Sequence, residues 1–176
     1  MIGKLSVMAI LWAASVYAGT LTFESGSIRA HTEVFGDSSI DPVFKKAVSH
    51  LSMEESVGSL RGVIDVNIVD FISDNKKRDA HMYETMESDK YPKASFEIKE
   101  VLSKGGENVT LKGTMNLHGV TKPMSFDGSV SEEGSKVRIK AKSTMKMSDF
   151  GINPPKMVFL TVRDQVDLGV DIALKR

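Results

Sequence analysis

Apolar and polar residues alternate one for one along most of this chain, and that pattern excludes most folds. Leu60, Gly62, Ile64, Val66 and Ile68 share one face of a candidate strand. Leu111, Gly113, Met115 and Leu117 do the same, as do Met124, Phe126, Gly128 and Val130. Val137, Ile139, Ala141, Met145 and Met147 continue the pattern, with Ser143 as its polar member. Val166, Leu168, Val170, Ile172 and Leu174 give the cleanest run. Lys112, Thr114 and Asn116, then Arg138, Lys140 and Lys142, fill intervening positions. Successive side chains of a strand point to opposite faces, so these runs predict antiparallel sheet with one apolar and one wet face.

The breaks between runs are turn-like. Lys104-Gly105-Gly106-Glu107, His118-Gly119-Val120-Thr121 and Glu132-Glu133-Gly134-Ser135 each separate two alternating runs. Short glycine-bearing connections of this kind read as hairpins. A meander of hairpins still has two edges to hide, and closing into a barrel removes both. The expected fold is an all-β, antiparallel, lipocalin-like barrel of about eight strands.

Two segments depart from the alternation. Residues 39–52 have helical spacing, with Asp41-Pro42 near the start and Phe44, Ala47, Val48 and Leu51 on one side. Residues 75–88 form a second short helix candidate, with Met82 and Met86 four apart. Both are expected at the barrel ends. Residues 148–156 contain Gly151 and Pro154-Pro155 and read as a loop before the last strand.

The N-terminus has a different character. Lys4 precedes a mainly apolar stretch over residues 5–16, and Val16-Tyr17-Ala18 suits a signal peptidase. Residues 1–18 are read as a secretory leader cut after Ala18, leaving one domain over residues 19–176. The apolar stretch is short for a membrane span, which needs ~20 apolar residues. The expected address is periplasmic or secreted. The chain has no cysteine, which excludes disulfides and thiolate metal sites. Its 23 basic and 23 acidic residues leave no electrostatic footprint for nucleic acid.

Composition then bears on the interior. Two of the 10 methionines, Met1 and Met8, lie in the leader. Met115, Met124, Met145 and Met147 fall on expected strands. Methionine is unbranched and adaptable, so it serves as core filler or as the lining of an irregular apolar hollow. As a group these residues favour a hollow that holds an apolar guest.

Four ordered stretches resemble the YceI-like family. Arg78-Asp79-Ala80-His81-Met82 opens the short helix, and Tyr91-Pro92-Lys93-Ala94-Ser95-Phe96 leads into the next strand. Gly113-Thr114-Met115-Asn116-Leu117-His118-Gly119-Val120-Thr121-Lys122-Pro123 looks like the family's central hairpin. Ser148-Asp149-Phe150-Gly151-Ile152, followed by residues 162–166, looks like its C-terminal signature. Together they cover most of residues 57–174. Residues 24–60 depart from the common pattern, carrying His31-Thr32-Glu33-Val34-Phe35-Gly36-Asp37-Ser38 and the first helix candidate. The resemblance implies exported lipocalin-like barrels that bind polyisoprenoids and similar amphiphiles along the barrel axis, and relatives of this sort can form homodimers.

Other motifs carry less. Phe35-Gly36-Asp37-Ser38-Ser39 resembles the nucleophile block of one esterase class, but the last histidine is His118, too early to activate Ser38 in that arrangement. Asp37 and Ser38 are expected to cap the following helix. Asp149-Phe150-Gly151 matches a kinase magnesium motif without its phosphate loop or catalytic loop. His31, His50, His81 and His118 show no zinc-ligand spacing. No metal or other cofactor is expected. Arg78-Asp79 is expected to pin the short helix to the barrel rim, and Phe150 to plug one barrel end.

The expected function is non-catalytic binding or transport of a long-chain apolar molecule, an isoprenoid or fatty-acid derivative. The expected lining is Ile64, Val66, Ile68, Met82, Phe96, Ile98, Met115, Phe126, Met145, Phe150, Phe159 and Leu168, with His31 near a ligand head group. The alternatives are a lipid ester hydrolase using Ser38 and a filled barrel that binds another protein through its rim.

Overall fold

The computed structural model describes residues 19–34, 38–157 and 160–176, without the side chains of residues 38, 39, 157 and 160. Its strands in chain order are β1 (Gly19–Val34), β2 (Ser38–Ile40), β3 (Val43–Phe44), β4 (Val48–Met53), β5 (Arg61–Asn67), β6 (Lys93–Gly105), β7 (Asn108–Leu117), β8 (Val120–Glu133), β9 (Lys136–Lys146), β10 (Lys156–Met157), β11 (Leu160–Thr161) and β12 (Gln165–Lys175). One α-helix, α1 (Lys76–Thr85), lies between β5 and β6.

Eight strands close into an antiparallel barrel in the order β1, β4, β5, β6, β7, β8, β9, β12, and β12 pairs back onto β1. The seam runs from Thr22 opposite Lys175 to His31 opposite Asp167. The second half is the expected meander. The register of β12 on β9 sets Val166 against Met145, Val170 against Ala141 and Ile172 against Ile139, so both apolar runs face the same side. Gly26 in β1 has φ 122°, and a Cβ there would stand 2.2 Å from the Asp171 carbonyl oxygen. Only glycine lets β1 bend this close to β12 as the sheet curves round.

The β7–β8 hairpin turns through His118 and Gly119 alone, with φ 52° and 73°. Two positive φ values are what a type I′ turn requires, and its twist matches the flanking strands.

The expected helix over residues 39–52 is absent. That stretch supplies β2, β3 and β4 instead. A barrel needs a strand between β1 and β5, and β4 fills the place, pairing Leu51 with both Leu21 and Gly62. Leu51 and Met53 point inward at period two, each 1% exposed, while Val48, which a helix would have buried, is 52% exposed. Phe44, Ala47 and Leu51 are all buried, but they lie on β3, on the connection after it and on β4, and their spacing mimics one helical face. Ser38 therefore caps no helix. It opens β2, opposite Val34.

The expected helix over residues 75–88 forms as α1. Asn75 accepts hydrogen bonds from the backbone N–H groups of Lys77 (3.0 Å) and Arg78 (3.2 Å), capping its first turn. Asp79 is buried and accepts from the Ser73 backbone N–H (2.9 Å) and hydroxyl (2.6 Å). Tyr83 donates its hydroxyl to the Phe71 carbonyl at 2.7 Å. These bonds fold α1 back across one barrel end. The helix is thus tied through Asp79 to Ser73, while Arg78 lies 3.7 Å from Asp74.

Candidate ligand-binding site

The inward residues do not pack equally along the barrel. At the end away from α1, Leu21, Leu60, Ile172 and Leu174 are 0% exposed, and Val109, Val130 and Val137 are nearly as buried. These side chains fill that end. Towards α1, the inward residues keep accessible surface: Ile64, Val66 and Met115 are each 9% exposed, and Met145 and Leu168 are only partly buried. They surround a cavity of about 780 Å³.

Along β7, β9 and β12 the inward face changes from packed to hollow. On β7, Leu111, Met115 and Leu117 line the cavity and Val109 does not. On β9, Ile139, Ala141 and Met145 line it and Val137 does not. On β12, Val166, Leu168 and Val170 line it, and Ile172 and Leu174 do not. The result is a cup with one closed end. From Leu111 to Leu117 the wall rises ~20 Å along the strand at ~3.3 Å per residue, or ~15 Å along the barrel axis at the usual tilt.

The open end is at α1. Lys77, His81, Glu84 and Lys156 line the cavity and are exposed to solvent, so the hollow reaches the surface there. Met82 and Met86 of α1 turn their thioethers over it. Two polar strand residues, Thr32 and Ser95, line the wall. Thr32 is 9% exposed, and its hydroxyl satisfies itself on the carbonyls of Arg163 and Gln165, both at 3.0 Å. Phe96 and Phe126 pack as a tilted pair, ring centroids 4.8 Å apart, on one side of the hollow.

Of the residues expected to line the interior, Ile64, Val66, Ile68, Met82, Phe96, Ile98, Met115, Phe126, Met145 and Leu168 meet at this cavity. Phe159 lies outside the described residues, as do residues 1–18 and 35–37. Phe150 is buried at 3% exposure but does not line the cavity. It sits in the corner where its carbonyl accepts from His118 Nδ1 at 3.2 Å. His31 is also off the cavity. Its neighbours Ala30 and Thr32 point inward, so strand parity turns His31 out. There its Nδ1 is 2.6 Å from Asp41 Oδ1 and its Nε2 3.6 Å from Glu33 Oε1. The hydrogen bond to Asp41 holds the imidazole pKa above its ordinary value, against a smaller opposing effect of burial.

Sequence reasoning missed the wall of β1. Ile28, Ala30, Thr32 and Val34 all face the cavity. They form an alternating run, hidden by the small Ala30 and the polar Thr32. Among the described residues no three histidine, aspartate or glutamate side chains converge as a metal site. The side chain of Ser38 is not among those described.

A closed eight-stranded antiparallel barrel, packed at one end and hollow and apolar at the other, defines a lipocalin-like binding barrel. The chain belongs to the YceI-like family: the YceI-like domain matches it over residues 13–174. A UPF0312 protein of Pseudomonas putida strain W619 is 29% identical over 116 residues, covering 61% of this chain and 59% of its own. The match therefore spans less than two thirds of that relative. A UPF0312 protein of Vibrio cholerae serotype O1 is 27% identical over 162 residues, 86% of each chain. Among solved structures, Burkholderia cenocepacia BcnA superposes with TM-score 0.75 at 14% identity, over 84% of this chain and 95% of that one. A mutant Campylobacter jejuni YCEI protein gives TM-score 0.70 at 18% identity, over 81% and 88%. At these identities the structures show a shared fold.

Proposed function

We propose that this protein is an exported, non-catalytic carrier that holds one long-chain apolar or amphiphilic molecule in its cup. The observation that carries this reading is the 780 Å³ cavity, whose wall is apolar apart from Thr32 and Ser95 and whose charged residues all lie at the mouth. Its size falls in the upper part of the usual range for ligand sites, ~300–1,000 Å³. Burying a methylene contributes ~0.8 kcal/mol, so a guest of on the order of twenty carbons brings ~15 kcal/mol gross, before the costs of ordering it. No charged anchor is needed for that. An isoprenoid or fatty-acid derivative has the required chemistry. The leader-like residues 1–18 support an exported, periplasmic address, and fractionation with N-terminal sequencing of the mature chain tests it.

The direct test of cargo is extraction. Protein purified without detergent is extracted with organic solvent and the extract identified by mass spectrometry. A stoichiometric long-chain compound is the expected result. Protein that carries none, and takes up none from lipid vesicles, rejects the proposal.

A further inference from the structure

The cavity has a floor, and the floor is built from side chains that have no room to move. Ile98, Leu111 and Ile139 touch the cavity, yet they are only 2%, 3% and 1% exposed. Two residues from Leu111 and Ile139 on the same strands are Val109 and Val137, and Ile172 pairs with Ile139 across β9 and β12; these are 3%, 1% and 0% exposed and do not line the cavity. Close-packed interiors resist displacement, because opening a path downward means creating voids among these side chains. The charged residues of the lining, Lys77, Arg78 and Glu84 of α1 and Lys156, lie at the opposite end.

We infer that the cup is a size gauge: Ile98, Leu111 and Ile139 close its inner end, the bound chain folds back above them, and the closed end sets the largest hydrocarbon the cup accepts. This rests on the binding function proposed above and adds a size class to it. A methylene occupies about the ~30 Å³ that a water takes in the liquid. At that volume per carbon, 780 Å³ holds a chain of about twenty-five carbons. The polar end stays at the mouth with α1. A longer molecule leaves its surplus in water, where it adds no burial.

The test is a ladder of straight-chain fatty acids from ~10 to ~30 carbons, displacing an apolar fluorescent dye from lipid-free mature protein. Affinity should rise up to about fourfold per methylene, then level off or fall at about twenty-five carbons. Leu111→Ala deletes three carbons from the floor and should move the break about three carbons longer. Ala141→Leu adds three to the lower wall and should move it about three shorter. These opposite shifts are read on variants whose folding is checked by circular dichroism. Affinity that climbs unbroken to the longest acid, or a break that neither variant moves, overturns the gauge while leaving the binding function standing. Failure of every acid and of vesicle lipid to displace the dye defeats the binding function itself.

Discussion

Glu87 and His118, the two non-glycine residues with left-handed backbones among those described, face each other, 3.6 Å from Glu87 Oε2 to His118 Nε2. The Tyr91 ring lies against the imidazole, with centroids 4.4 Å apart, and the Phe150 carbonyl accepts from its Nδ1. One histidine thus ties the β7–β8 turn, the connection after α1 and the turn after β9 into one corner. The 3.6 Å contact is longer than a hydrogen bond, and Nε2 is buried without another partner.

Replacing His118 should therefore separate two effects. His118→Ala loses the ring contacts and places alanine at φ 52°, and is expected to cost ~2–3 kcal/mol. His118→Asn keeps a residue that tolerates the left-handed region and should cost less, ~1–2 kcal/mol. Urea unfolding of the three proteins checks the order, and equal losses would show that backbone conformation plays no part.

His31 and Asp41 should give the stability curve a pH dependence of predictable sign. The folded-state pKa of His31 is raised above 6.5, chiefly by the hydrogen bond to Asp41. Its stabilisation is therefore complete below the unfolded value and fades as pH rises through the folded one. His31→Gln should destabilise clearly near pH 5.5 and little near pH 8.5, measured by thermal unfolding at both. A loss that grows with pH would contradict the assignment.

Two leucines of β12 should respond differently to truncation. Leu174 is 0% exposed in the packed end, and Leu174→Ala is expected to cost ~3–5 kcal/mol by leaving a void. Leu168 already borders open space, so Leu168→Ala should cost ~1–2 kcal/mol. Chemical denaturation decides, and equal costs would mean the hollow is filled.

The cap of α1 should govern exchange at the mouth. Asn75→Ala removes the acceptor for two backbone N–H groups and is expected to cost ~1 kcal/mol. A looser α1 should speed release of a bound fluorescent fatty acid in stopped-flow traces, with the packed end unchanged.

The barrel was legible in the sequence wherever one face is wet. Arg138 and Lys140, alternating with Val137 and Ile139, mark β9 without ambiguity, and the hollow was foreshadowed by Met115, Met145 and their neighbours. The first sixty residues were not legible in the same way. Phe44, Ala47 and Leu51 fit helical spacing because two short strands and the connection between them happen to bury side chains at those intervals. That β4 must complete the barrel follows from closure, a tertiary demand with no local signal. Which residues line the cup and which plug its base is also absent from the alternation. Leu174 and Leu168 sit at the same parity, and only their height along the axis separates them.

The seam between β1 and β12 has a temporal consequence. Thr22 donates its hydroxyl to the Lys175 carbonyl across 153 positions of sequence. The strand made last is thus the partner of the first strand, and until β12 arrives β1 and β9 each present a bare edge. The barrel cannot close until β12 has been made, so its cavity is complete only after that strand has joined. Such distant pairing also makes zipping slow, which lengthens the interval in which these edges need protection.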